Sequence, residues 1–369
     1  MKTSLQIARF GGIPLRLHWT FGLLLPAAFA LSRAEEGFSW ILMLWNALFI
    51  GSLFACVVMH EYGHALMARH YGIGTQDILL TPIGGIARLQ GLPSKPAHEL
   101  AIAIAGPLVN VVIVALLAVP VWYFFTPEFH SITDSFFSKA PEVENRLSAV
   151  LRYWPPALLV FNIVLALFNL LPAFPMDGGR ILRALLNLRT TRLRATRIAS
   201  RIGQLAGLSF ILIGFKIGHW GLIFIGTFVI ITAAKEYRDL YEYERLRSET
   251  AGNLMKPSLF HLSVNNTLAE ARALLRQTQT DSLPVLNDEG LAIGQFKWQQ
   301  IPEEAEAQNT PLNNYLLPWP GRLLPEDNLL TALQKLHRTR SESLPVFQGN
   351  TLLGLLSKKD VSEWMKKKG

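Results

Sequence analysis

Residues 54–72 read FACVVMHEYGHALMARHYG. His60 and His64 stand four positions apart, with Glu61 directly after the first. On a helix both imidazoles share one face, and that spacing lets two ring nitrogens bind one zinc ion at about 2.0–2.1 Å. A carboxylate next to the first ligand can reach a metal-activated water as general base. The motif H-E-x-x-H is short, so its setting matters. The residues before it are those of a membrane span, where strongly polar groups cost a few kcal/mol each. Three of them in five positions need a compensating partner. The competing reading is a buried polar cluster that closes a channel or relay. Cys56, one turn before His60, is the single cysteine, so no intrachain disulfide forms. It reads as a small buried apolar residue, with metal ligation as the alternative.

A catalytic zinc takes three protein ligands and keeps one position open. The segment FNLLPAFPMDGGRIL, residues 168–182, offers the third ligand in Asp177. Gly178 and Gly179 beside it permit close approach of backbone or substrate. Pro172 and Pro175 break the preceding span, and irregular backbone at membrane depth is tolerated where it lines a protein or water cavity. Asp177 could also serve as helix N-cap for GGRILRALLNL, which is compatible with ligation.

The elements that carry these groups follow from hydropathy. The chain has 369 residues, half of them hydrophobic and 17% charged, with mean hydropathy +0.27. The apolar runs stop near residue 235, so a membrane part precedes a soluble part. Six runs are expected to span, at 17–32, 39–60, 101–125, 153–172, 202–215 and 218–234. The first lacks a small-residue cleavage site and reads as a retained span. The fifth is short, bounded by Arg201 and Lys216, and pairs with the sixth as a tight helical hairpin. The net charge of +8 sits largely in short loops, where it sets topology; it does not point to nucleic acid. The segment Asp177–Arg201 holds Arg180, Arg183, Arg189, Arg192, Arg194 and Arg197 besides Arg201, so it is placed in the cytoplasm. Residues 126–150 are richer in acids and are placed outside. Both termini are then cytoplasmic, in the cell (inner) membrane, and His60, His64 and Asp177 fall on the same side of the bilayer. The stretch GTQDILLTPIGGIARLQG, 74–91, reads as a β-hairpin at the membrane face. Its edge either accepts an extended peptide or is a plain connection.

HEYGH in one span and NLLPAFPMDGGR in a later one resemble the site-2 protease family of intramembrane zinc metalloproteases. AGPLVN at 105–110 resembles a further segment of that family, and the likeness covers most of residues 1–235. It implies His60, His64 and Asp177 as zinc ligands and Glu61 as catalytic base and acid. Asn169 matches the family asparagine that positions substrate or the transition-state oxygen; an interhelical hydrogen bond is its other reading. The implied substrates are single-span membrane proteins, such as anti-sigma factors or membrane-tethered regulators.

Past residue 250 an internal repeat appears. DSLPVLNDEGLAIGQFKWQQI (281–301) parallels ESLPVFQGNTLLGLLSKKDV (342–361), each after an amphipathic helix. The repeat resembles a tandem pair of CBS domains, expected at 252–306 and 307–369 behind a linker at 236–251. That resemblance implies an adenosine-nucleotide site with a G-x-x-T/S-x-x-D pattern. The second copy keeps it in Gly354, Ser357 and Asp360; the first departs from it with Lys297 and Gln300 after Gly294. A structural module, or one that forms a homodimer, is the other reading. The expected whole is a polytopic α-helical membrane protein of about six spans with a C-terminal α+β CBS pair. Its expected function is intramembrane proteolysis modulated by the tail. A CBS-gated transporter that uses the His/Asp cluster as an ion site is the alternative. It predicts polar residues spread through several spans and a repeat within the membrane half, and the sequence has neither.

Overall fold

The computed structural model describes the chain except residues 1–3, 25, 27, 28, 30–32, 35, 36, 39, 83, 92, 94, 136–145, 258, 259, 279–281, 298–311, 368 and 369. It divides into two compact units, Met1–Arg238 and Asp239–Gly369.

In the first unit the long helices are α1 (Trp40–His70), α2 (Pro96–Phe124), α4 (Arg146–Leu170), α6 (Arg192–Ile217) and α7 (Trp220–Ser248). A short α3 (Thr126–Ser135) precedes α4, and α5 (Asp177–Asn187) precedes α6. Among the described residues five helices are long and apolar enough to cross a membrane. In α1, His60 lies about 30 Å from the helix start at 1.5 Å per residue, close to one hydrocarbon thickness. Pro96 opens α2 at its first turn, where no hydrogen bond is lost. Helices α6 and α7 form the expected hairpin, reversed at Gly218 with φ +69°. They touch at glycines: a Cβ on Gly207 would stand 2.6 Å from the Gly226 carbonyl oxygen, the close approach that small residues permit in membranes. Both helices run longer than the hydropathy window suggests, and α7 continues through most of the expected linker.

The expected first span at 17–32 begins differently. Leu17 and His18 close strand β2 (Ile13–His18), and Trp19–Leu23 is a 3-10 turn; most of 25–32 lies outside the described residues. β2 pairs antiparallel with β1 (Ser4–Phe10) and parallel with β3 (Thr75–Thr81), which pairs antiparallel with β4 (Gly84–Leu89). The order β1-β2-β3-β4 leaves β4 at an edge. Ile13, Leu15, Ile78 and Leu80 alternate onto one face and pack with Ala65 of α1. Buried Asp77 ties the strands by pairing with Arg88 and, at 3.2 Å, with Arg16.

The second unit repeats a helix followed by a β-hairpin. After the short strand β5 (Lys256–Pro257), the first copy has β6 (Leu262–Ser263) and α8 (Leu268–Thr278) before β7 (Ser282–Leu286) and β8 (Ala292–Lys297). The second has α9 (Leu329–Arg338) before β9 (Ser343–Gln348), β10 (Thr351–Ser357) and α10 (Lys358–Lys367). The residues that follow β8, 298–311, lie outside the described residues. Each copy buries its own apolar cluster, around Phe296 in the first and Leu336 with Leu356 in the second. A cavity of about 440 Å³ opens between the hairpin turns near Asn287 and Gly349, walled by Trp319, Arg322 and Phe347.

Candidate metal centre

Three buried side chains converge where α1, α2 and α5 meet. His60 Nε2 and His64 Nε2 lie 3.1 and 2.9 Å from Asp177 Oδ2, and 3.1 Å from each other. All three residues are less than 8% exposed. Their outer ring atoms are engaged elsewhere. His64 Nδ1 donates to the Ile102 carbonyl at 2.7 Å, and His60 Nδ1 donates to Asn110 Oδ1 at 3.0 Å. A carbonyl oxygen only accepts, so both protons sit on Nδ1. Both Nε2 atoms then turn lone pairs toward a carboxylate oxygen. Three lone pairs facing one point repel unless a cation stands among them. Ligand edges of a tetrahedral zinc with bonds of 2.0–2.1 Å run about 3.3 Å, close to the distances found. The donor set fits zinc, and these ligand atoms form a group that could hold a metal ion among the described residues.

Local structure explains the convergence. The i, i+4 spacing on α1 stacks the two rings edge to face, with centroids 4.8 Å apart. Gly106 of α2 clears their space: a Cβ there would stand 2.8 Å from His60 Nε2 and nearer still to His64. Asp177 is the first residue of α5, whose N-cap is Met176; its carboxylate faces the histidines and does not cap the helix. Gly178 and Gly179 let α5 press on the preceding turn, since a Cβ on Gly179 would lie 2.6 Å from Phe174 N. Behind Asp177, Arg183 Nε donates to Glu99 Oε1 at 2.5 Å and Nη1 donates to Glu236 Oε1 at 3.0 Å. Arg192 reaches Glu99 from α6 at 3.4 Å. This network fastens α5 to α2, α6 and α7.

Glu61 is held by the sheet. Its Oε2 accepts from the Ala87 backbone N–H at 2.9 Å. Ala87 belongs to edge strand β4 and this N–H donates to Glu61, so it is on the side that has no neighbouring strand among the described residues. The expected pair of histidines, Asp177 and Glu61 are thus brought together. Asn169, half-buried near the end of α4, is not one of the converging ligands. Asn110, Gly106 and the Ile102 carbonyl did not stand out as site residues in the sequence. A lone asparagine inside the apolar run AIAIAGPLVNVVIVALL, one turn after a glycine, was the available signal.

In the second unit, Asp360 is engaged locally. Its Oδ2 accepts from Ser357 N at 3.0 Å and from Ser357 Oγ at 2.5 Å, and its Oδ1 pairs with Lys256 at 2.5 Å. Burial pushes the Asp360 carboxyl up, but the Lys256 and Ser357 hydrogen bonds outweigh it and hold it below its ordinary value. Gly354 lets β10 meet the short strand β5 (Lys256–Pro257), where a Cβ would overlap the Lys256 carbonyl. None of Gly354, Ser357 and Asp360 lines the 440 Å³ cavity.

Residues 48–213 match the model of peptidase family M50, and residues 251–296 and 322–367 match that of the CBS domain. The chain is similar to a zinc metalloprotease of Methanocaldococcus jannaschii, 30% identical over 361 residues that cover 98% of this chain and 96% of the relative. It is also similar to the solved structure of a site-2 protease from that organism. The identity is 34% and the TM-score 0.45, covering 63% of this chain and 95% of that one.

Proposed function

The chain belongs to peptidase family M50, the site-2 protease type of zinc metalloprotease, with a tandem CBS pair behind it, and from that premise we propose an intramembrane endopeptidase that cuts transmembrane segments of membrane proteins. The convergence of His60 Nε2, His64 Nε2 and Asp177 Oδ2 within 3.1 Å carries this reading. These three residues hold the zinc, which when bound supplies an activated water and a Lewis acid. Glu61, next to the first ligand, accepts the proton of the attacking water and returns it to the departing amine. Asn169 positions the substrate peptide or its oxyanion.

A substrate helix has its carbonyls locked in hydrogen bonds, so it must unwind before attack. Edge strand β4 receives the unwound segment as an added strand. Its position supports this, because the Ala87 N–H on the open edge lies 2.9 Å from Glu61 Oε2. An added strand is thereby held beside the general base. The protein is a multi-pass membrane protein. We place it in the cell (inner) membrane with both termini in the cytoplasm, with residues 1–235 as protease, 236–251 as connection and 252–306 and 307–369 as the CBS pair. The tail modulates cleavage, through an adenosine nucleotide at Gly354, Ser357 and Asp360 or through dimerisation. Single-span regulators such as anti-sigma factors are the substrate class.

Zinc content and cleavage of a model single-span substrate in detergent test the reading. Wild type should hold about one zinc and cut. Glu61→Gln should keep the metal and lose cutting, and Asp177→Ala should lose metal. A wild type without zinc, or a Glu61→Gln variant that cuts normally, overturns it.

A further inference from the structure

The zinc reading assigns roles on α1, α4 and α5 and leaves α2 without one. Yet three residues of α2, spaced by four, face the site in successive turns. The Ile102 carbonyl accepts from His64 Nδ1 at 2.7 Å. Gly106 leaves the volume that the two rings fill. Asn110 Oδ1 accepts from His60 Nδ1 at 3.0 Å, and the residue is 0% exposed. The two outer hydrogen bonds treat the histidines alike, each ring being held through Nδ1 by an oxygen that only accepts. They differ in origin. Ile102 offers a backbone atom that any residue supplies, whereas the bond to His60 depends on one side chain.

That side chain is kept against its own interest in stability. Asn110 Nδ2 is buried without a hydrogen-bond partner among the described residues, and an unsatisfied buried donor is a net cost. A leucine, which has the same number of side-chain heavy atoms and the same branching, carries no such cost inside a membrane helix. The oxygen of Asn110 must therefore give something a leucine cannot.

We propose that Asn110 is a positioning residue for metal binding: its carbonyl oxygen fixes the His60 tautomer and ring angle that present Nε2 to the zinc. This rests on the zinc reading above. Metal-ligating histidines commonly donate their second N–H to a carboxylate or carbonyl, which orients the ring. Here both acceptors are neutral. A carboxylate at that depth adds a buried charge, so an amide orients His60 without one. Asp177 then remains the single anion among the three ligands.

The test uses the full chain in detergent and measures zinc affinity by chelator competition, with thermal unfolding of the zinc-stripped protein. Asn110→Leu should bind zinc about 10–100-fold more weakly, while the zinc-stripped form unfolds no earlier than wild type. Asn110→Asp, which keeps an acceptor oxygen at nearly the same volume, should bind within about threefold of wild type. Asn162→Leu is the control. Asn162 is also 0% exposed, but its amide donates to Leu158 O and Cys56 Sγ and to neither histidine, and its variant should keep wild-type affinity. Wild-type affinity in Asn110→Leu overturns the proposal, as does an equal loss in Asn162→Leu. If Asn110→Leu does not fold, a loss of tenfold or more in Asn110→Asp overturns it. A wild type that holds no zinc fails at the earlier step and overturns the metal reading together with this one.

Discussion

Gly106→Ala adds a single methyl group on α2 beneath both imidazoles. Built in place, that Cβ stands 2.8 Å from His60 Nε2 and nearer to His64 Nε2 and Cε1. Unstrained carbon–nitrogen contact begins at about 3.5 Å, so the rings or the helix must move by roughly 1 Å. The helix is not free to yield, because α1 and α2 already touch through backbone. A Cβ on Gly63 of α1 would lie 2.7 Å from the Ala105 carbonyl oxygen, and widening the gap gives up that packing. Metal sites accept ligand shifts of about 0.2 Å, so a displacement near 1 Å costs a ligand. Zinc affinity should fall at least ~100-fold, or about 2.7 kcal/mol. Backbone propensity acts the other way. Alanine is better than glycine inside a helix by about 1 kcal/mol, but zinc-free and zinc-bound protein share that gain, so it restores none of the affinity. The assay is zinc affinity by chelator competition beside cleavage of a single-span substrate. Gly51→Ala is the matched control on α1, where no atom of the described residues lies within 4 Å of the added Cβ; it should bind and cut as wild type does. A Gly106→Ala protein that binds zinc within about threefold of wild type and still cleaves would refute the claim that α2 sets the ring positions.

Three further outcomes follow from contacts outside the ligand set. Ala87→Pro removes the N–H that faces Glu61 at an edge position where proline is tolerated; kcat/KM should drop about tenfold, near 1.4 kcal/mol, with zinc content unchanged. Arg183→Ala strips buried Glu99 of its 2.5 Å partner, and breaking a buried pair costs about 3–5 kcal/mol. Arg192 still reaches Glu99, so the lower end of that range is expected as an earlier thermal transition in detergent. Asp360 has a folded pKa below its ordinary value, so its stabilisation is present above the unfolded pKa near 3.9 and is lost as pH falls through the folded one. The urea midpoint of residues 239–369 should decline on acidification through that window, and Asp360→Asn should flatten the decline.

What could be read from the chain and what could not divides along a physical line. His60, Glu61, His64 and Asp177 carry their chemistry in the side chain itself, and their setting in apolar runs makes each conspicuous, since membrane depth penalises polar groups that have no task. The same penalty marks Asn110, yet it cannot say what the amide is for. Its partner lies fifty residues away on another helix, and only the packing of α1 on α2 through Gly63 and Gly106 brings Oδ1 to the ring. The strands near the start escape a hydropathy reading for a related reason. In IPLRLH the burial of Ile13 and Leu15 alternates with half-buried Arg16, a two-residue period that a broad hydropathy average erases. The run from Leu17 then reads as a span, although Leu17 pairs with Leu80 more than sixty positions on. Hydropathy windows weigh each segment alone, whereas parallel pairing is a property of two distant segments together. In the same sheet β3 packs on α1 through Ile78, Leu80 and Ala65, and β4 carries the Ala87 amide to Glu61. The general base was therefore legible as a residue, but the peptide group that orients it became visible only once the sheet had closed.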